Sequence, residues 1–272
     1  MNLAEKYDYQ TLKQENFFAQ YIKPLLRHGF HLDINAKVSG HKMLATETPW
    51  IFAKNDQNRF CDVWHRMYFN ILGMLPSACL QCWKVVVRPQ NLVDLFKLRE
   101  IQIGLDYPSK CGMEIRNTVF GNYGGYFYND HYEEGIICYE KVKKAVAEHI
   151  GENTPVIFKR GCTEFEHHFG DSKDWDSIVT PQQLEIENAL EEVIPHEVNP
   201  GQPDWLKQDI LQRLVEFAFE RGDSTYKEFM NGENMFDPYR TFGDGQVRPG
   251  TMFVKDNVFA NTAFFVAEGV DQ

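Results

Sequence analysis

The chain has 272 residues, a net charge of −11 and 43% hydrophobic residues, which suits a globular protein with a sizeable core and excludes a disordered chain. No apolar run approaches the roughly 20 residues needed to cross a bilayer, and the polar start MNLAEKYDYQ does not resemble a secretory signal. We therefore expect a cytoplasmic protein without a membrane segment, whose six cysteines are metal ligands or core residues rather than disulfides.

Charge and cysteine are unevenly distributed along the chain. Residues 1–162 contain 20 Lys and Arg against 17 Asp and Glu, a balance of +3, whereas residues 163–272 contain 8 against 22, a balance of −14. All six cysteines lie in the first part. We predict a helical, loop-rich segment at 1–75, a core with a cysteine metal site at 76–171, and an acidic helical region at 172–272 that ends in short strands.

Helices are predicted in the N-terminal segment. LKQENFFAQYIKPLLRHGF has helical spacing, although Pro24 must kink or end the helix. DVWHRMYFNILGML is typical of a second short helix that Gly73 and Pro76 stop.

The middle of the chain predicts six consecutive elements. WKVVVRP, KCGMEIR, GYFYN and TPVIFKRGCTEFEHH are expected to be strands, and the helices start at Asn91 and near an Asp130-x-x-Glu133 cap. The order β-α-β-β-α-β is typical of a ferredoxin-like core, so we predict an α+β protein. This fold hosts many unrelated activities and does not by itself indicate a function.

Two helices are predicted in the acidic region. They are PQQLEIENALEEVI and PDWLKQDILQRLVEFAFERG, separated by the linker NPGQP and followed by two short strands in GTMFVKDNVFANTAFFV. Their acidic faces are either solvated or available to a protein partner.

The cysteines predict a metal site. Cys79 and Cys82 precede the first core strand, where no helix N-terminus activates them as a redox pair. In the predicted fold, the starts of strands one and two and the end of strand four share one sheet edge, which gathers four thiols at a zinc site or, alternatively, an iron–sulfur cluster. The predicted ligands are Cys79, Cys82, Cys111 and Cys162, with Cys61 as a substitute for Cys111 because strand two lies about 10 Å from strand one. Unrelated core cysteines are the alternative.

One face of the predicted sheet combines basic and aromatic side chains. Such a face suits phosphate contacts and base stacking with nucleic acid or a nucleotide, unless another part of the chain covers it. The residues predicted to contact phosphate or bases are Lys84, Arg88, Arg116, Tyr126, Tyr128, Lys159 and Arg160.

A second candidate site lies in RGCTEFEHHFGD. If this stretch is extended, Glu164, Glu166 and His168 project to one side, with Asp171 close behind, and could hold Mg²⁺ or Mn²⁺ for phosphoester hydrolysis. A solvated strand end is the alternative. The sequence therefore leaves three functions open: a metal-stabilised protein that binds nucleic acid or a nucleotide, a metal-dependent hydrolase, and an assembly protein with a structural zinc.

Overall fold

The computed structural model describes residues 15–39, 49–56, 59–116, 119–196 and 201–235. These residues form helices and a five-stranded antiparallel sheet, so the protein is α+β. The strands are β1 (His31–Leu32), β2 (Val38–Ser39), β3 (Trp50–Lys54), β4 (Trp83–Val87), β5 (Ser109–Met113), β6 (Tyr123–Asn129) and β7 (Val156–Arg160). The α-helices beyond the single turn Glu15–Phe17 are α1 (Lys23–Arg27), α2 (Leu92–Leu105), α3 (Tyr132–His149), α4 (Thr163–Phe169), α5 (Pro181–Val193) and α6 (Asp204–Glu220).

The main sheet has the strand order β3-β5-β6-β4-β7, and every neighbouring pair is antiparallel. Between residues 83 and 160 the elements follow one another as strand, helix, strand, strand, helix and strand. The pair β1 and β2 forms a separate two-stranded sheet.

Side chains alternate between the two faces of this sheet, as the strand sequences predict. Val85 and Val87 of β4 and Phe127 of β6 pack with α2, α3 and α6 in the principal core. Val86, Tyr126 and the residues in register with them lie on the opposite face. We call this opposite side the far face.

The helices are defined by local signals in the sequence. The side chain of Asn91 accepts a hydrogen bond from the Asp94 backbone N–H, which caps α2 as predicted. The predicted Asp130-x-x-Glu133 cap does not form, because α3 begins after His131, whose side chain makes no capping bond. Helix α6 buries the apolar stripe of Leu206, Ile210, Leu214 and Phe217.

The N-terminal segment packs with α5 around a second core that includes Tyr68 and Leu190. The helix predicted around Pro24 is interrupted as expected: a π-helical stretch, Phe18–Ile22, precedes Pro24, which occupies the first turn of α1. The second predicted helix is also π-helical, over Asp62–Ile71. Short 3₁₀ helices cover Ser77–Gln81, Ser172–Ser177 and Ser224–Met230.

The structure corrects the end of the last predicted strand. β7 ends at Arg160, and residues Thr163–Phe169 form helix α4. Gly161 has a φ of 61°, which turns the chain out of the sheet. Phe165 and Phe169, four residues apart, pack with Trp175 in a third apolar cluster.

No helix in the described ranges combines the length and apolar character of a membrane span. The predicted strands in 250–266 and part of the NPGQP linker lie outside the described residues.

Candidate functional site

A cluster of polar side chains lies where the far face meets the helix Asp62–Ile71 and the loop after β7. Three of them offer metal-ligand atoms that all lie within 4.8 Å of one another: His65, Cys162 and Glu164. This is the one such group found among the described residues. His65 is nearly 100 residues away from its two partners in sequence, so the fold alone creates the group.

The His65 ring is held by aromatic neighbours. It stacks on Phe165 at a centroid distance of 5.6 Å and meets Phe69 edge-on at 5.3 Å. The Asn70 side-chain nitrogen lies 3.4 Å from His65 Nδ1. Burial lowers the pKa of His65 below its ordinary value. The neutral imidazole is therefore favoured at neutral pH, and this is the form that binds metals or accepts a proton.

The two carboxylate oxygens of Glu164 differ in their hydrogen bonding. Arg116 Nη1 donates to Glu164 Oε1 at 2.7 Å, whereas the buried Oε2 atom has no hydrogen-bond partner. Burial raises the pKa of Glu164, but the hydrogen bond from Arg116, a backbone hydrogen bond and the charge of Arg116 together outweigh it, so the net direction is down and the carboxylate is ionised. A buried carboxylate oxygen without a partner is costly unless a cation or a proton donor satisfies it.

Arg116 is itself fixed by a second carboxylate. The Glu114 side chain has no solvent-exposed surface and accepts hydrogen bonds from Arg116 Nε at 2.7 Å and from the Tyr126 hydroxyl at 2.8 Å. Arg88 Nη1 approaches the same carboxylate at 3.2 Å. Burial would raise the pKa of Glu114, but the hydrogen bonds from Arg116 and Tyr126 lower it to about 2. This network orients Glu164 through Arg116, as outer-shell partners orient metal ligands.

Cationic side chains approach the sulfur atoms. Lys84 Nζ donates to Cys162 Sγ at 2.9 Å, and Arg59 Nη1 donates to Cys82 Sγ at 3.3 Å. Lys84 is only 7% exposed. Desolvation opposes its charge, yet interactions with Cys162 and Cys82 raise the pKa of Lys84 well above its ordinary value. Lys84 is thus a permanent ammonium beside Cys162.

The predicted four-cysteine ligand set is not assembled as proposed. Cys111 lies on the other side of the sheet, in the core with α2 and α3, because strand alternation points it away from the far face. Cys79 packs with Phe165 and Trp175, whereas Cys82 packs against Tyr126 and Tyr128. All six cysteines are free thiols.

The predicted substitute for Cys111 is Cys61, which directly precedes the helix Asp62–Ile71 that carries His65. Electrostatic interactions couple Cys61 to Cys82, Cys162 and Lys84. Desolvation raises the pKa of the Cys61 thiol to about 11, although the residue surface is exposed.

The basic and aromatic residues predicted for ligand binding do lie on or near the far face, but most are covered or paired. Tyr126 and Tyr128 are 7% and 8% exposed, and the Arg59 guanidinium lies 5.0 Å from the Tyr128 ring centroid. Bases therefore cannot stack on these rings in this conformation. Lys84, Arg88 and Arg116 have the partners given above.

Lys159 and Arg160 are occupied at the far-face edge. Lys159 pairs with Glu166, and Arg160 makes a two-pronged contact with Asp176 at 2.8 and 2.9 Å while donating to the Leu80 carbonyl. These contacts fix the end of β7 and leave neither side chain as an open phosphate ligand.

The second predicted metal set is dispersed because its segment is helical rather than extended. Glu164 faces Arg116, and Glu166 faces Lys159. The His168 ring packs edge-on against Phe69 and Phe169. Asp171 is exposed and pairs with Lys173. Of the four predicted residues, only Glu164 belongs to the site.

Several site residues were not predicted. His65, Arg59, Glu114 and Lys110 come from segments whose local patterns indicate only a helix, a loop or a strand. The single available signal was the alternation of KCGMEIR, which places Lys110 and Glu114 on the same face as Arg116. Searches of protein-family models, curated proteins and solved structures found no match to this chain.

Proposed function

We propose that this protein binds a zinc ion through His65, Cys162 and Glu164. The observation that carries the proposal is the meeting of their donor atoms within 4.8 Å, next to a buried Glu164 oxygen that lacks a hydrogen-bond partner. A divalent ion at this position would satisfy that oxygen. A buried carboxylate oxygen without a partner carries a desolvation cost, which is one reason to expect a ligand there.

The mixture of donors favours zinc over the alternatives. Nitrogen, sulfur and carboxylate oxygen together suit Zn²⁺, whereas iron–sulfur clusters are held chiefly by several thiolates and Mg²⁺ or Mn²⁺ prefers oxygen. Three protein ligands leave the fourth tetrahedral position to water or a ligand, as in catalytic rather than structural zinc sites.

We further propose that β7, β4, β6 and β5 form a ferredoxin-like core to which β3 adds an edge strand. The support is the chain order from β4 to β7, together with two helices that pack against one face. In this core, Cys162 precedes the helix that follows the last strand and Glu164 lies in the first turn of that helix, so two of the three proposed ligands come from one turn.

The ligand of the site is proposed to carry phosphate, as in a nucleotide or a nucleic acid. The support is the position of three cations: Lys84 donates to Cys162, Arg116 donates to Glu164, and the ammonium groups of Lys84 and Lys110 lie 5.5 and 6.0 Å from the centroid of the same Tyr128 ring. The buried positions of Tyr126 and Tyr128 shift the expected contacts from base stacking to ion pairing. An assembly protein with a purely structural zinc is the competing function, and a full protein coordination shell would favour it.

Metal analysis of the purified full chain tests the proposal. We expect about one zinc per chain, lost or strongly reduced in Cys162→Ser and His65→Ala. Cys111→Ala is the matched control and should keep its zinc, because this thiol lies on the opposite side of the sheet. A wild-type protein without metal after zinc reconstitution, or a Cys162→Ser variant with full zinc content, would refute the proposal.

A further inference from the structure

The cations around the candidate zinc centre are not all paired. Lys84 donates to Cys162, Arg59 pairs with Asp56 and Asp130, and Arg88 and Arg116 share Glu114. Lys110 differs. Within the described ranges, its ammonium has aromatic neighbours and no carboxylate, with Nζ at 5.1, 5.6 and 6.0 Å from the ring centroids of Trp50, Phe52 and Tyr128.

An ammonium in this position is costly to keep charged. Desolvation is the main cause that lowers the pKa of Lys110, and the neighbouring charges of Lys84 and Arg116 lower it further, whereas Cys61 and Cys162 oppose the shift without reversing it. Aromatic faces compensate for only part of this cost. A nearby anion would reverse this penalty.

The local charge balance indicates how much negative charge is missing. Besides the edge pairs that Lys159 and Arg160 form with Glu166 and Asp176, five cations lie on or against the far face and four carboxylates contact them. The cations are Arg59, Lys84, Arg88, Lys110 and Arg116, and the carboxylates are Asp56, Asp130, Glu114 and Glu164. Cys162 would bind the ion as a thiolate. The formal charges of these groups then sum to zero without the ion, so a bound divalent ion leaves two positive charges uncompensated.

We infer that the ligand of the zinc-loaded site is a phosphate monoester, a dianion at neutral pH, and that Lys110 is the side chain that binds it. This inference rests on the proposed zinc site. A phosphodiester, as in the backbone of a nucleic acid, carries one negative charge and would leave the site positive. A monoester neutralises both charges, and its three terminal oxygens can accept from an ammonium and bind the open zinc position together.

Calorimetric titration with two matched probes tests the inference. Phenyl phosphate is a monoester, and methyl phenyl phosphate is its diester with the same ring and one charge fewer. We expect the zinc-loaded full chain to bind phenyl phosphate about tenfold or more tightly than the diester, and more tightly than the zinc-free chain does. Lys110→Met should lose about tenfold in phenyl phosphate affinity while keeping its zinc, and the control Lys144→Met, at an exposed position of α3, should match wild type.

The outcomes separate the two proposals. Equal affinity for the two probes, or a Lys110→Met variant that folds, holds zinc and binds phenyl phosphate as wild type does, would overturn the inference and leave the zinc site standing. The comparison of the two probes on wild-type protein decides the question even if Lys110→Met does not fold. A chain that takes up no zinc would remove the proposed function and, with it, this inference.

Discussion

The buried carboxylate of Glu114 provides the sharpest test of how the site is held together. In Glu114→Gln the shape of the side chain is kept, but the negative charge between Arg88 and Arg116 is lost. Two guanidinium groups would then share a site without a counter-charge, and Arg116 would hold Glu164 less firmly. We expect both the free energy of unfolding and the affinity for zinc to fall.

The size of the stability loss follows from the pKa. The Glu114 pKa is lowered from 4.5 to about 2, which corresponds to on the order of 3 kcal/mol at about 1.4 kcal/mol for each pH unit of difference. Because the folded-state pKa lies below the unfolded-state value, this contribution is complete above about pH 4.5 and is lost as the pH falls toward about 2. Removal of one partner from a buried ion pair costs about 3–5 kcal/mol in other proteins, which agrees with this magnitude.

Urea unfolding at pH 7 and at several lower pH values measures the loss of stability and its dependence on pH. Wild type should lose stability more steeply than Glu114→Gln as the pH falls below about 4.5. The control Glu148→Gln removes an exposed carboxylate that pairs with Lys144 and should change the free energy of unfolding by less than about 1 kcal/mol. If Glu114→Gln is as stable as wild type at pH 7, the reasoning about this network is wrong.

Further predictions concern packing and the metal ligands. Gly135→Ala should destabilise the protein by roughly 1–3 kcal/mol, because a Cβ atom would lie 2.6 Å from the Phe158 ring. In Gly104→Ala the Cβ atom meets no atom within 4 Å, so this variant should stabilise α2 by about 0.5–1 kcal/mol. Thermal unfolding of both variants tests these two expectations. Alkylation of the zinc-loaded chain with iodoacetamide, followed by peptide mass spectrometry, should spare Cys162 and modify it after chelation of the metal. Modification of Cys162 at the same rate with and without zinc would contradict its role as a ligand.

The sequence predicted elements whose residues repeat with a clear period. The alternating residues of β4 and β6 correctly divide between the core and the far face, and the Asn91 cap starts α2 where expected. These features depend on neighbours within a few residues, which a single sequence contains.

The prediction failed for a segment whose residues fit both the two-residue period of a strand and the spacing of a helix. TEFEHHF alternates charged and other residues, which resembles a strand, but Phe165 and Phe169 are four residues apart and bury one side of a helix. β3 was not predicted, although WIFAK is rich in aromatic and β-branched residues, because the whole segment before residue 75 was interpreted as helices and loops.

The site itself could be predicted only in part. Cys162 and Glu164 were both candidates, but for two different metal sites that were considered separately. His65 reaches them through the packing of the helix Asp62–Ile71 against Phe165, a contact between residues 100 positions apart. No local pattern carries that information, and Cys111 was misassigned because its position along β5 was considered without its face.

X-ray absorption spectroscopy of the zinc-loaded protein tests the central claim most directly. The account predicts a mixed coordination shell, with one sulfur at about 2.3 Å and nitrogen or oxygen ligands at about 2.0–2.2 Å. A shell of four sulfur atoms would instead indicate a structural site built from the neighbouring cysteines, and it would contradict the assignment of His65 and Glu164 as ligands.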